Sequence, residues 1–317
     1  MGFGADSVPP AVTVLEETLH SRRHLAGAPI SWGVCEVPGW GHQLAPRRVL
    51  SEMASLGLHA TELGPDGYLP LDAGALRACL EAHDLRLVGG FVPLVLHEPD
   101  LSGARERADR SAALLAAAGA EVFVAAILAD EDWGTPFELS DEQWARLVGH
   151  LAEIDELVAG HGLTLAIHPH VGTLIERDDA VQRLLADSDA GWCLDTGHLR
   201  IGGTDPIDFV RHNGARIVHV HLKDVDAELA ARVRARELSL VEATQLGLFR
   251  PLGQGDARIP EVLRALDQAG YERWLVLEQD TAITGQEPPD GDGPVLDVAR
   301  SIEYLIRLAP EREVAER

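Results

Sequence analysis

The alternation of apolar and polar positions repeats one unit along the chain. A segment with apolar residues at three- and four-residue spacing ends in glycine, and a short, continuously apolar run follows at once. SLGLHATEL, AAGAEVFVAA, AGHGLTLAIH, SDAGWCLD, HNGARIVHVH and QAGYERWLVLE all show this joint. Glycine just past a helix relieves the left-handed cap, and a strand then begins. AHDLRLVGGF is the same joint with Asp84 in place of glycine. Together with PISWGVCE near the start, the pattern predicts eight strands near residues 29–35, 59–63, 85–92, 121–127, 163–168, 190–195, 216–222 and 273–279.

Amphipathic segments such as APRRVLSEMASLG, DEQWARLVGHLAEIDELVAGHG and DVARSIEYLIRLA fill most of the intervals. Ser140 followed by Gln143 reads as a capping box that opens one of them. Strands that are apolar throughout, rather than at every second position, predict a parallel sheet covered by helices. Eight βα units in this length favour an α/β fold of the closed (β/α)8 TIM-barrel type over an open doubly wound sheet. No internal linker splits the chain. Residues 1–26 read as an N-terminal extension, 27–317 as a single barrel domain, and 225–250 as a helical insert after the seventh strand.

Charge narrows the class of partner. With 51 acidic and 27 basic residues in 317, the formal net charge is −24. Such a surface repels phosphate backbones, so no nucleic-acid partner is expected. Cys35, Cys79 and Cys193 are odd in number and form no CxxC pair, which argues against a disulfide framework or a cysteine-rich zinc site. No apolar stretch reaches the ~18 residues of a membrane span, and the first residues lack a signal-peptide layout. The expectation is a cytoplasmic protein with no membrane partner. Neither a GxGxxG nor a GxxxxGK[ST] fingerprint is present, so no organic cofactor is expected.

The polar residues then supply candidate chemistry. In a barrel of this kind the active site lies at the carboxyl ends of the strands. Strand two ends in Glu62, strand five in His168 and His170, and strand six in Asp195 and His198. Strand seven carries His219, His221, Lys223 and Asp224, and strand eight ends in Glu278 and Asp280. The period of two puts His219, His221 and Lys223 on one face of their strand, and His168 and His170 on one face of theirs. Each residue alone has an ordinary structural reading: a hydrogen-bonded core histidine, an N-capping aspartate, a surface ion pair. Four successive strands ending in ligand-type side chains at one rim are better explained by a metal site. Carboxylate and imidazole ligands favour Mn²⁺ or Co²⁺ over Mg²⁺ or Zn²⁺.

At these residues the chain resembles the xylose isomerase-like barrel superfamily of sugar isomerases and epimerases, and within it the inosose dehydratase branch. The phrases that carry the resemblance are ISWGVCE, TELGPDGYLP, HPHVGT, CLDTGH, HVHLKD, PLGQGDARI and VLEQD. CLDTGH and HVHLKD speak for the superfamily, whereas TELGPDGYLP with HPHVGT points to the dehydratases. The resemblance implies one divalent metal held by His168, Asp195, His221 and Glu278, with His170 as an alternative occupant of the strand-five position. Isomerases and epimerases would place glutamate where His168 stands, as one of two acid–base carboxylates. The implied reaction is dehydration of a cyclic polyol ketone, 2-keto-myo-inositol, by proton abstraction next to the carbonyl and loss of the β-hydroxyl. Lys223, His198 and His170 are the candidate acid–base groups, and Glu62, Trp32, His170 and His198 the candidate substrate contacts. Lys223 reads equally as a catalytic group and as an ion-pair partner of Asp195 or Glu278. Barrels of this superfamily often associate, which makes a homo-oligomer an expectation.

The main competing function is a metal-dependent sugar or inosose isomerase or epimerase with the same enolate chemistry. A nuclease of the endonuclease IV type would need more ligands on strands two to four, of which strands three and four offer only His97, and a basic groove. A non-catalytic binding module would leave the acid–base groups beside the metal without use.

Overall fold

The computed structural model describes residues 24–37 and 39–308. Eight parallel strands close into a barrel: β1 (His24–Gly27), β2 (Ala60–Glu62), β3 (Arg86–Leu94), β4 (Val122–Ile127), β5 (Thr164–Ile167), β6 (Gly191–Asp195), β7 (Ile217–Leu222) and β8 (Trp274–Leu277). Each strand pairs with its neighbours in sequence, and β1 pairs in parallel with both β2 and β8. The barrel predicted from the apolar runs is the barrel observed. Seven of the eight predicted strands fall on these elements.

The first does not. Residues 29–32 form a 3-10 turn, and β1 lies just before it. Pro29 lacks the N–H that a ladder needs but fits the first turn of a helix, and Gly33 closes the turn at φ 82°. The apolar ISWGV run is buried by tertiary packing rather than by strand pairing. His24–Ala26 accordingly belong to the barrel and not to an extension; the rest of the segment 1–26 lies outside the described residues.

The helices follow the local signals. α1 (Asp141–Gly160), which links β4 to β5, opens on the capping box predicted for Ser140 and Gln143. It buries Trp144, Leu147, Leu151, Ile154 and Val158, the three- and four-residue stripe of an amphipathic helix. The helix-to-strand joints at Gly57, Gly119, Gly162 and Gly270 have positive φ, and Asp84 takes the same conformation at φ 54°. Gly191 and Gly214 do not. At Gly191 a Cβ would lie 2.7 Å from the Leu165 carbonyl, and at Gly214 one would lie 2.7 Å from Ala269 Cβ, so these two serve close packing.

After β7 the chain forms a two-stranded ribbon, Asp224–Val225 against Phe249–Arg250, enclosing helices α2 (Ala227–Arg234) and α3 (Leu240–Gln245). A separate apolar cluster that includes Val171, Ile201, Val225, Val233 and Phe249 fixes this unit to the barrel. Gln245 Nε2 donates to the carbonyls of Gly39 and Trp40, so the insert meets the loop after β1 across the barrel mouth.

Candidate active site

The carboxyl ends of β5 to β8 bring their polar residues together. Asp195 ends β6, and its two oxygens do different work. Oδ1 accepts the N–H groups of Gly197 and His198 and caps the following helix. Oδ2 lies 3.1 Å from His168 Nε2 and 3.5 Å from both His221 Nδ1 and Lys223 Nζ. Capping therefore aims the second oxygen at the cluster. Glu278, just past β8, places Oε2 2.6 Å from His221 Nδ1 and 3.2 Å from Lys223 Nζ. All of these side chains are buried except Glu278, which keeps a small exposure.

Glu62, deep at the end of β2, organises the two histidines of β7. Its Oε1 accepts from His219 Nε2 at 2.7 Å and from His221 Nε2 at 3.0 Å. With its Nε2–H committed to Glu62, a neutral His221 ring presents a lone pair at Nδ1. Two lone pairs 2.6 Å apart, on Nδ1 and on Glu278 Oε2, require a positive charge between them, either a proton or a cation. Neither atom has a hydrogen-bond partner, and the buried His168 Nδ1 has none.

One donor atom from each of His168, Asp195, His221 and Glu278 lies within 4.8 Å of all the others. These four could hold a metal ion. Two overlapping groups, His168–Cys193–His221 and Glu62–His219–His221, meet the same distance test. The first contains no carboxylate, and its Cys193 thiol, which burial pushes up to about 11, would have to give up its proton on binding. The second is already closed by its own hydrogen bonds. The set of two imidazoles and two carboxylates fits a divalent cation best.

The comparisons with known proteins now bear on this geometry. The sequence profile described as the xylose isomerase-like TIM barrel matches residues 50–308. The chain belongs to this family. A rhizopine catabolism protein, MocC, of Rhizobium meliloti is 32% identical over 89% of this chain and 87% of its own length. Inosose dehydratase of Geobacillus thermodenitrificans is 31% identical over 81% of this chain and 90% of its own. Among solved structures, the probable 3-DHS dehydratase AsbF of Bacillus anthracis superposes with a TM-score of 0.65 at 16% identity, over 89% of this chain and 98% of its own. A D-allulose 3-epimerase from Methylomonas sp. superposes with a TM-score of 0.64 at 16% identity, over 91% and 98%. At such identities the structural likeness shows the fold alone. The expectation of a lyase stands on the sequence relatives.

In this xylose isomerase-like barrel a cavity of about 280 Å³ opens over the cluster. Its lining includes Glu62, His168, His170, Lys223, Glu278 and Asp280. His170 donates from Nδ1 to the Val171 carbonyl at 2.7 Å, which leaves Nε2 with its lone pair. Burial, reinforced by His168 and Lys223, lowers its pKa to about 3, so the ring is neutral. For Lys223, burial opposes the charge, but Asp195, Asp280 and Glu278 outweigh it and hold the pKa well above the ordinary lysine value. Its closest partner is Asp280 Oδ1, at 2.5 Å.

Several placements expected from the sequence differ from what the fold provides. Trp32 does not reach the cavity; it is fully buried and its indole N–H donates to Glu52 Oε2. The 3-10 turn that replaces the predicted first strand directs it into the core. His198 does not line the cavity either. It lies behind the wall, where its Nδ1 accepts from Val171 N and its Nε2 is 3.2 Å from Lys223 Nζ. Glu62 lines the cavity but is engaged by His219 and His221.

Three further contributors, Trp133, Thr196 and Gly197, are not among the residues singled out from the sequence. Trp133 lines the cavity, stacked on Phe91 with ring centroids 6.1 Å apart and edge-on to His170. It sits in a loop with no periodicity, at φ 58°. Thr196 Oγ1 donates to the Lys223 carbonyl at 2.6 Å and accepts the Lys223 N–H at 2.8 Å, fixing the base of the lysine. Gly197 lets that strand approach: a Cβ there would lie 2.7 Å from Lys223 Cβ. The TG of CLDTGH is therefore readable as the seat of the lysine.

The buried imidazoles imply a pH dependence of stability. Burial is the largest cause holding His168, His170, His198 and His219 below the ordinary histidine value. As pH falls below ~6.5 the unfolded chain binds protons that the native cluster refuses, so native stability is lost. His221, held well above 6.5, is flat below that pH. Asp280, raised to about 6 by burial, works in the opposite sense as one group against four. The melting temperature of the metal-free protein is expected to fall steadily from pH 6.5 to about 5. Each net histidine contributes a slope of about 1.4 kcal/mol per pH unit. A flat thermal-melt profile over that range would contradict neutral rings at His168, His170, His198 and His219.

Proposed function

We propose that this enzyme removes water from a cyclic polyol ketone, 2-keto-myo-inositol, in a reaction that depends on one divalent cation. The observation that carries the reading is the convergence of His168, Asp195, His221 and Glu278 beside a cavity that also exposes His170 and Lys223. Relatives at 31–32% identity named as an inosose dehydratase and a rhizopine catabolism protein support the substrate class. The imidazole of His168 at the strand-five rim, in place of a second acid–base carboxylate, favours elimination over epimerisation.

His168, Asp195, His221 and Glu278 would hold the cation, and imidazole and carboxylate donors suit Mn²⁺ or Co²⁺. When bound, a divalent cation supplies Lewis-acid stabilisation of charge developing on the ketone oxygen. The chain's own residues do the rest. The free Nε2 of His170 takes the proton next to the carbonyl, and its bond to the Val171 carbonyl fixes the tautomer that can do so. The Lys223 ammonium gives a proton to the departing hydroxyl, and Asp280 orients it. His198 supports both: its ring centroid is 3.9 Å from that of His170, and its Nε2 is close to Lys223 Nζ. Glu62 acts through His219 and His221, fixing the ring orientation of the proposed ligand. The unpaired cysteines and acidic surface fit a cytoplasmic setting.

The test is direct. Metal-free protein is incubated with 2-keto-myo-inositol, with and without Mn²⁺ or Co²⁺, and the product is identified by mass. Cation-dependent loss of one water is the expected result. An unchanged mass with solvent deuterium gained at carbon would move the enzyme to the epimerases.

A further inference from the structure

A second recess, of about 380 Å³, shares no lining residue with the cavity over the cluster. Three segments of the chain nevertheless line both. The loop after β4 gives Trp133 to the cavity and Phe137 and Leu139 to the recess. The segment after β5 gives His168 and His170 to the first and Leu174 and Glu176 to the second. The insert gives Leu240 to the cavity and Arg236 to the recess. The link after β5 is short and tied: Thr173 Oγ1 donates to the His170 carbonyl at 2.7 Å, and Glu176 Oε2 accepts the Gly172 N–H at 2.9 Å.

In a chain with 51 acidic and 27 basic residues, three arginines on one recess are a local exception. Arg183 is committed: it lies over the Trp144 ring and bonds to Asp141. Arg236 is exposed and uses one nitrogen on Glu176 Oε2, at 2.9 Å. Arg177 donates to the Arg234 carbonyl and has no carboxylate partner among the described residues. Of the acidic groups, Asp179 turns back to accept the Ala180 N–H, and Glu138 is exposed. Glu176 differs from both. It is only 3% exposed, and its Oε1 has no hydrogen-bond partner among the described residues. A buried carboxylate oxygen without a donor is unfavourable. The recess therefore suits a molecule that brings an oxyanion to the guanidinium forks of Arg177 and Arg236 and a hydroxyl to Glu176. We propose that it is a regulatory site for a small hydroxylated oxyanion, a polyhydroxy carboxylate or the phosphate ester of a polyol, whose binding is felt at His170. Held by Arg177, Arg236 and Glu176, the ligand ties the insert to the segment after β5. Those segments then need less ordering when a substrate enters the cavity, so each ligand tightens the binding of the other. The effect on catalysis rests on the dehydratase reading; the site itself does not.

The test is calorimetry on the full chain loaded with Mn²⁺, using D-gluconate, glucose 6-phosphate and uncharged glucose as probes. Saturable binding of gluconate or glucose 6-phosphate is expected, and the tighter of the two assigns the carboxylate or the phosphate form. Arg177→Gln and Arg236→Gln should each weaken it about tenfold or more, the loss of a hydrogen bond to a charged group. Arg177 is exposed, so its substitution is expected to leave the fold intact. Absence of binding, equal binding of glucose, or binding unchanged in Arg177→Gln overturns the proposal. The tighter probe is then added to the dehydration assay with 2-keto-myo-inositol. A KM lowered about fivefold or more is expected, with the effect lost in Arg177→Gln. An unchanged KM overturns the regulatory role. If the ketone loses no water with or without the probe, the dehydratase reading fails and the effect on catalysis falls with it, while the calorimetry still decides the recess.

Discussion

Lys223→Met is expected to lower kcat by about a hundred- to ten-thousand-fold, the range of a lost general acid or base. Methionine keeps the buried apolar stem, so the cavity wall stays filled. What is removed is the ammonium group that stands 2.5 Å from Asp280 and 3.2 Å from Glu278. The substitution also leaves buried carboxylates without their cation, which is costly for the metal-free protein. A lower melting temperature without Mn²⁺ is therefore expected, recovered in large part when Mn²⁺ is added. The distinction between a catalytic and a merely structural lysine lies in partial reactions. If Lys223 protonates the departing hydroxyl, the variant still exchanges the proton next to the carbonyl with solvent deuterium, because His170 remains. A variant that loses exchange and dehydration together, while binding Mn²⁺ normally, would assign proton abstraction to the lysine instead. Full activity would reduce Lys223 to an ion-pair partner.

The barrel was legible because its signals are local. Continuous apolar runs, glycine or Asp84 at the helix ends, and a capping box at Ser140 each act within a few residues. The first strand was not legible, because HLAG is short and polar at its start and its pairing with β8 comes from the far end of the chain. Nothing in residues 24–27 announces a partner as distant as Trp274–Leu277. The candidate site divides in the same way. His168, Asp195, His221, Lys223 and Glu278 sit at strand ends, so the period of two and the barrel rule bring them to one rim. Trp32 and Trp133 are indistinguishable by such rules. One is turned into the core by Pro29 and Gly33, and the other is placed over His170 by a loop whose geometry no periodicity encodes. His198 shows a further limit. Three residues after Asp195 it shares the neighbourhood, yet the helix that Asp195 caps carries it behind the wall.

Glu278→Gln is expected to weaken Mn²⁺ or Co²⁺ binding by about a hundredfold or more and to remove dehydration at ordinary cation concentrations, since even partners one step removed from a metal typically cost about 10–100-fold. The exchange is nearly isosteric, and it replaces the oxygen that crowds His221 Nδ1 at 2.6 Å by an amide. In the metal-free state the same change removes a negative charge from a cluster in which Glu278 is held below the ordinary carboxylate range. There burial opposes the charge, but His221 and Lys223 outweigh it. Calorimetric titration of the cation separates the three overlapping ligand groups. If His168, Asp195, His221 and Glu278 are the ligands, Glu278→Gln weakens binding strongly, whereas Cys193→Ser, outside that group, leaves it within about twofold of the parent. A large loss in Cys193→Ser with Glu278→Gln unchanged would move the cation toward the β6 floor of the barrel. A loss in His219→Gln as large as in Glu278→Gln would instead place it between β2 and β7, where His219 and His221 now share Glu62. Of the three groups, only the first contains two residues, His168 and Glu278, that line the cavity together with His170 and Lys223.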